Sequence, residues 1–154
     1  MTVILSIDPS SNKATKSNTG IVLIKNGKLL DHWCLPFGVK GFRNWHEKEF
    51  EKIKCDKVIF EHFEARDNSK AKDNTVLETI AEIQRLIPEA EPFRNGGYQT
   101  DVPNELLKAL GLWKFGKSHH QDVRAAARLA LFYAMRNDIE DFVTGIGELL
   151  SERI

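Results

Sequence analysis

Val3-Ile4-Leu5-Ser6-Ile7-Asp8 is an apolar, β-branched run of strand length that ends on a carboxylate and passes straight into Pro9-Ser10-Ser11-Asn12. A run this short, bounded by turn residues, reads as a buried central strand. An acid at the end of such a strand is costly unless a cation holds it. The plain alternative is that Asp8 caps the turn through neighbouring N–H groups. The pattern recurs, however. Lys57-Val58-Ile59-Phe60-Glu61-His62-Phe63-Glu64 is a second short apolar run that ends on a carboxylate, and His119-His120-Gln121-Asp122 opens the strongest helical pattern in the chain. Three separate segments therefore end or begin on a potential metal ligand.

The elements between them follow in order. Thr19–Ile24 reads as a second strand, and Lys25-Asn26-Gly27-Lys28 as a hairpin turn, since Asn-Gly supplies the positive φ angles of a two-residue loop. Leu29–Leu35 is a third strand, closed by Pro36, so strands one to three form an antiparallel meander. Phe42, Trp45, Phe50 and Ile53 predict a helix over 42–53. The fourth strand, Val58–Phe63, then lies parallel to the first through a crossover. Val76, Ile80, Ile83 and Ile87 repeat at helical spacing and predict a helix that stops before Pro88. Ala90–Arg94 reads as a short fifth strand, Asn95-Gly96-Gly97 as a loop, Val102–Leu110 as a short helix with an early proline, Gln121–Arg136 as a long helix, and 139–154 as one or two short helices. The segments 10–19 and 67–74 are polar and read as loops or helix entries. The expectation is one α/β domain over residues 1–154, a five-stranded mixed sheet flanked by helices.

Composition narrows the function classes. The chain has 154 residues, 42% of them hydrophobic and 29% charged, ordinary for a soluble domain with its own core. No apolar run approaches the ~20 residues of a membrane span, and no signal peptide is expected. Cys34 and Cys55 form no Cys-x-x-Cys pattern, which argues for a reducing, cytoplasmic setting and against a zinc site. Net charge is zero, yet it is unevenly spread: Arg94–Arg136 holds seven Lys/Arg against three acids, while 137–154 holds one Arg against five acids. The asymmetry is compatible with phosphate binding on one face.

Asp8-Pro9-Ser10 followed by Thr19-Gly20, a strand ending in Glu61 and a late His-x-x-Asp helix, in this order from Val3 to about Tyr133, resemble RuvC-type Holliday junction resolvases, the small phage-encoded members most of all. The resemblance implies a ribonuclease H-like fold, a metal-dependent endonuclease of phage or bacterial origin, a two-fold homodimer and products with 5′-phosphate and 3′-hydroxyl ends. A four-way junction is itself two-fold symmetric, which a dimer with one site per subunit matches. The Val76–Ile87 helix is the expected interface.

The chemistry suits the residues. Two-metal phosphodiester hydrolysis needs hard-oxygen ligands holding two ions about 4 Å apart, and Mg²⁺ takes a few carboxylates, waters and phosphate oxygens. Parallel neighbouring strands ending on acids would set Asp8 and Glu61 side by side, where like charges repel unless a cation intervenes. Glu64 is the alternative to Glu61. His119 and Asp122, three apart, share one face of a helix start. Below them Ala125, Ala126 and Ala130 allow close approach to the sheet. The resemblance makes these two the last ligands, although its members commonly carry an acid where His119 stands. An imidazole there could ligate Mg²⁺ or Mn²⁺ or deprotonate the attacking water, whereas Asp122 could also be a first-turn acid favoured by the helix dipole.

The expected catalytic and metal-binding set is thus Asp8, Glu61, His119 and Asp122, holding two Mg²⁺ or Mn²⁺ ions. Expected phosphate contacts are Lys13, Lys16, Arg66, Lys70, Lys72, Arg94, Lys114, Lys117 and Arg124. His120 belongs to the surface or contacts phosphate, and Trp113 belongs to the core. Phe115 fits either the core or a stack on an unpaired base. The function expected is resolution of branched DNA by symmetric incision. A nuclease acting on hybrids or flaps, and a non-catalytic DNA-binding scaffold, are the alternatives.

Overall fold

The computed structural model describes residues 1–10, 18–63, 75–115 and 120–152. Its centre is a sheet of five strands: β1 (Val3–Asp8), β2 (Thr19–Lys25), β3 (Lys28–Leu35), β4 (Lys57–Glu61) and β5 (Glu91–Phe93), in spatial order β3-β2-β1-β4-β5. The first three form the expected antiparallel meander, and β4 and β5 run parallel to β1. Asn26 (φ 48) and Gly27 (φ 87) make the β2–β3 turn, with Lys25 paired to Lys28. A mixed sheet of this order follows from the sequence of connections: tight turns give antiparallel neighbours, and helical crossovers give parallel ones.

Helices cover both faces, so the central strands are buried on both sides. Beneath α1 (Gly38–Glu49) and α2 (Val76–Leu86) lie Leu5, Ile7, Ile21, Phe42, Trp45, Val58, Phe60, Ile80 and Ile83. The opposite face carries α5 (His120–Arg136), which buries Ile4, Val22, Ile24 and Ile59 with its own Val123, Ala126, Ala127 and Ala130. Two short helices, α3 (Tyr98–Asp101) and α4 (Asn104–Ala109), and a C-terminal α6 (Glu140–Glu152) complete that layer. Strand residues alternate between the two cores with the period of two that a pleated strand imposes.

Several boundaries depart from expectation. The first helix begins at Gly38, not Phe42, because Phe37 takes a left-handed turn (φ 67) and its carbonyl accepts from the Gly41 N–H, adding a turn ahead of the apolar residues. Its far end tightens into a 3₁₀ turn over Phe50–Lys52. The fourth strand stops at Glu61, and the fifth spans only Glu91–Phe93. The helix expected over Val102–Leu110 is confined to Asn104–Ala109, and the short α3 precedes it. The C-terminal region forms a single helix. Gly145 lies at its centre because that helix packs directly on the Asn26 backbone, where a Cβ would stand 2.2 Å from the Asn26 carbonyl oxygen.

The apolar side chains of α2 face inward: Val76, Ile80 and Ile83 are buried, as is Ile87 just beyond it. Its one buried acid, Glu82, is held by Arg43 of α1 and by Arg85, each at 2.6 Å.

Candidate active site

The strand register sets the site. Ile7 of β1 pairs with Phe60 of β4, so the next residues, Asp8 and Glu61, end adjacent parallel strands side by side. Leu5, Ile7, Val58 and Phe60 point to the α1/α2 core, whereas Ile4 and Ile59 point to α5. By the same alternation Asp8 and Glu61 project on the α5 side.

Helix α5 brings in the third acid. Asp122 lies in its first turn, and that turn rests on Gly20, the antiparallel partner of Asp8. A Cβ on Gly20 would stand 2.2 Å from the Asp122 carbonyl oxygen and 2.8 Å from the Val123 nitrogen. Only a glycine lets the helix start approach the strand this closely. Along the helix Ala126, Ala127, Ala130 and Ala134 are fully buried, whereas Ala125 is partly exposed. Small side chains therefore hold the helix against the sheet, as the sequence pattern suggests, with its contact face turned slightly from the expected one.

Electrostatics follow from this gathering. Asp8 has a pKa raised well above the usual carboxylate value. Burial is the largest cause, followed by a hydrogen bond with the Glu61 carboxyl and by the negative charges of Glu61 and Asp122. Lost hydration and two nearby negative charges all disfavour the charged form of Asp8. Asn95 donates from its side-chain nitrogen to Glu61. The sequence marks Asn95 only as part of an Asn-Gly-Gly loop, and its amide reaches Glu61 because β5 pairs alongside β4, with Glu61 opposite Phe93. The Asp-Pro-Ser and Thr-Gly segments also find their reason. Ser10 N donates to Thr19 Oγ1 at 3.1 Å, and the two hydroxyls meet at 2.8 Å, both residues buried. These contacts tie the chain just after Asp8 to the start of β2.

The structure thus brings Asp8, Glu61 and Asp122 together. His119, the alternative acid Glu64, and the cations Lys13, Lys16, Arg66, Lys70, Lys72 and Lys117 lie outside the described residues. Arg94 is exposed just beyond β5, Lys114 is exposed in the α4–α5 connection, and Arg124 is half-buried on α5. Phe115 is core, 1% exposed, with its ring against His32. Trp113 departs from expectation. It packs only partly on the core and carries the Arg124 guanidinium on its ring, so a cation takes the place of apolar neighbours.

No protein-family model and no curated protein matches the chain. Solved structures do. Thermus thermophilus RuvC in complex with a Holliday junction substrate superposes with a TM-score of 0.68 at 12% identity, over 92% of this chain and 98% of that one. A second Thermus thermophilus RuvC structure gives 0.62 at 14% identity, over 89% and 96%. The chain has a RuvC-like fold. The ribonuclease H-like architecture expected from the sequence is therefore borne out, with superposition over nearly the whole length of RuvC.

Among the described residues no group of three His, Cys, Asp or Glu side chains closes tightly enough to hold an ion; Asp8 and Glu61 instead hydrogen-bond to one another. The donor chemistry nonetheless fits a hard divalent cation, because Asp8, Glu61 and Asp122 each offer carboxylate oxygens. Burial does most to raise the pKa of Asp8, and the charges of Glu61 and Asp122 add a like-charge conflict that such a cation relieves.

Proposed function

We propose that the chain is a metal-dependent, structure-selective endonuclease that resolves Holliday junctions and other branched DNA by phosphodiester hydrolysis. Asp8, Glu61 and Asp122 hold the metal, with His119 as the fourth member of the set. The observation that carries the reading is the convergence of three carboxyl groups from β1, β4 and α5, with the pKa of Asp8 raised by burial and by the other two, in a RuvC-like fold. When bound, two Mg²⁺ or Mn²⁺ ions lower the pKa of the attacking water and offset the charge that develops on the leaving 3′ oxygen.

The residues of the chain do the remaining work. Asp8 and Glu61 fix the ligand oxygens at the strand ends, and Asn95 orients the Glu61 carboxylate. His119 accepts a proton from water or completes the ligand set. Lys13, Lys16, Arg66, Lys70, Lys72, Arg94, Lys114, Lys117 and Arg124 supply phosphate contacts, so binding falls steeply with salt. Junction shape, more than base sequence, sets selectivity. One nuclease domain spans residues 1–154 and acts in the cytoplasm as a two-fold homodimer, placing one site at each of two symmetric cuts.

The test is cleavage of a synthetic four-way junction against linear duplex, with Mg²⁺, Mn²⁺ or EDTA, by the wild type and Asp8→Asn. Paired symmetric nicks on the junction that vanish with EDTA and with the variant support the reading. Cutting of flaps or RNA–DNA hybrids in place of junctions keeps the site and replaces the substrate. Junction binding with no cutting under any metal refutes the enzyme and leaves a scaffold.

A further inference from the structure

The connection between α4 and α5 carries a second group of side chains outside the carboxylate cluster. Trp113 is half-buried there, and the Arg124 guanidinium lies over its ring, 3.7 Å from the centroid. Arg124 Nε also donates to the Trp113 carbonyl oxygen at 2.5 Å. The Lys108 ammonium lies 4.8 Å from the centre of the same ring. Lys108, Gly111, Trp113 and Lys114 line an open cavity of about 520 Å³, with no acid among them. Among the described residues none of the three cations is paired with a carboxylate.

Two cations are drawn to one indole ring, and among the described residues neither is paired with a carboxylate. The indole and its carbonyl hold the guanidinium in one orientation, so Arg124 gives up little side-chain freedom when it meets an anion. Such an arrangement fits a phosphate. Its place in the fold gives a distance as well. Arg124 follows Asp122 by two residues, which puts it roughly 200° around α5. The Arg124 and Asp122 side chains thus leave α5 on nearly opposite sides, about one helix width, ~10 Å, apart.

We propose that Lys108, Trp113 and Lys114, with the Arg124 guanidinium held over the Trp113 ring beside them, form a preset site for one phosphodiester group of the substrate strand, apart from the one that is cut. The pocket rests on the nuclease reading for the identity of the strand and not for the binding itself.

The test is binding of a fluorescently labelled four-way junction by the full chain in EDTA, where no metal-dependent cutting competes, across a salt series. Arg124→Gln should weaken binding by about tenfold and lower the slope of log affinity against log salt by about one. Lys108→Gln should also lower the slope. Trp113→Phe, which keeps a ring beneath the guanidinium, should retain the wild-type slope, and Lys28→Gln, in the β2–β3 turn, should change neither quantity. The pocket is overturned if Arg124→Gln and Lys108→Gln bind with wild-type affinity and slope. It is equally overturned if Lys28→Gln loses as much as they do, since binding is then diffuse. Failure of the nuclease reading looks different: the wild type binds with its full salt slope and cuts nothing. A wild type that binds no DNA removes both.

Discussion

Gly20→Ala changes one hydrogen to a methyl, yet it should disturb both the fold and the chemistry. Gly20 lies within β2, where an alanine backbone is unstrained, so loss of glycine flexibility alone would favour the variant by about 0.5–1 kcal/mol. The methyl decides the sign. It would stand 2.2 Å from the Asp122 carbonyl oxygen and 2.4 Å from its carbonyl carbon, where ordinary contact begins near 3.4 Å. Both neighbours are backbone, so no rotamer relieves the clash. Strand and helix must part by about 1.2 Å at the point that carries Asp122. Overpacking of this kind costs roughly 1–3 kcal/mol, or about 3–10 °C in Tm for a domain this size.

A displacement of about 1 Å in a positioned group costs on the order of 100-fold in rate. The assay pairs thermal unfolding with metal-dependent junction cleavage. Gly147→Ala is the control: it is also helical, and a Cβ there meets nothing within 4 Å, so it should stabilise by about 0.5–1 kcal/mol. Unchanged Tm and rate in Gly20→Ala would refute the close approach of α5 to β2. A fallen Tm with an intact rate would remove Asp122 from the ligand set.

Further predictions address single interactions. Asp8→Asn should abolish cleavage and, in EDTA at neutral pH, raise Tm by a few degrees, because it removes a half-buried, poorly hydrated acid pressed by two others; added Mg²⁺ should then stabilise the wild type but not the variant. Asn95→Ala should lower the cleavage rate roughly tenfold with little change in Tm, by freeing the Glu61 carboxylate; an unchanged rate removes Asn95 from the site. Glu82 has its pKa lowered from 4.5 to about 2, first by the Arg85 hydrogen bond and then by Arg43. Its contribution is present above the unfolded value and is lost as pH falls through about 2. The full shift corresponds to about 3 kcal/mol, but the two arginines are 56% and 62% exposed, so solvent screening reduces it to roughly 1.5–2 kcal/mol. Glu82→Gln should therefore be less stable by that amount at pH 7 in chemical denaturation, with the deficit shrinking below pH 4; a deficit independent of pH would refute the ionic origin.

What could be read from the sequence and what could not divide along a physical line. Asp8 and Glu61 were legible because each ends its own apolar run, and a helix between the runs makes the strands parallel; local pattern and chain connectivity suffice. The long helix was legible from its alanines and its acidic first turn. Asn95 was not, because an Asn-Gly-Gly turn looks the same whether or not a carboxylate from a neighbouring strand lies within reach. Nor was the task of Gly20. A glycine beside a threonine at a strand start gives no sign that a helix 102 positions later will rest on it, and only the sheet order sets the two together. Trp113 fails for the opposite reason: indole is large and apolar enough to be assigned to a core, and only its neighbours reveal that it serves as a platform for a cation. The acids that define the site are thus announced by the strands that carry them, while the residues that position them depend on packing between segments remote in sequence. Substitution of the second group, at Gly20 and Asn95, is accordingly the sharper probe. The acids were expected on pattern alone, whereas those two matter only if the three segments meet as described.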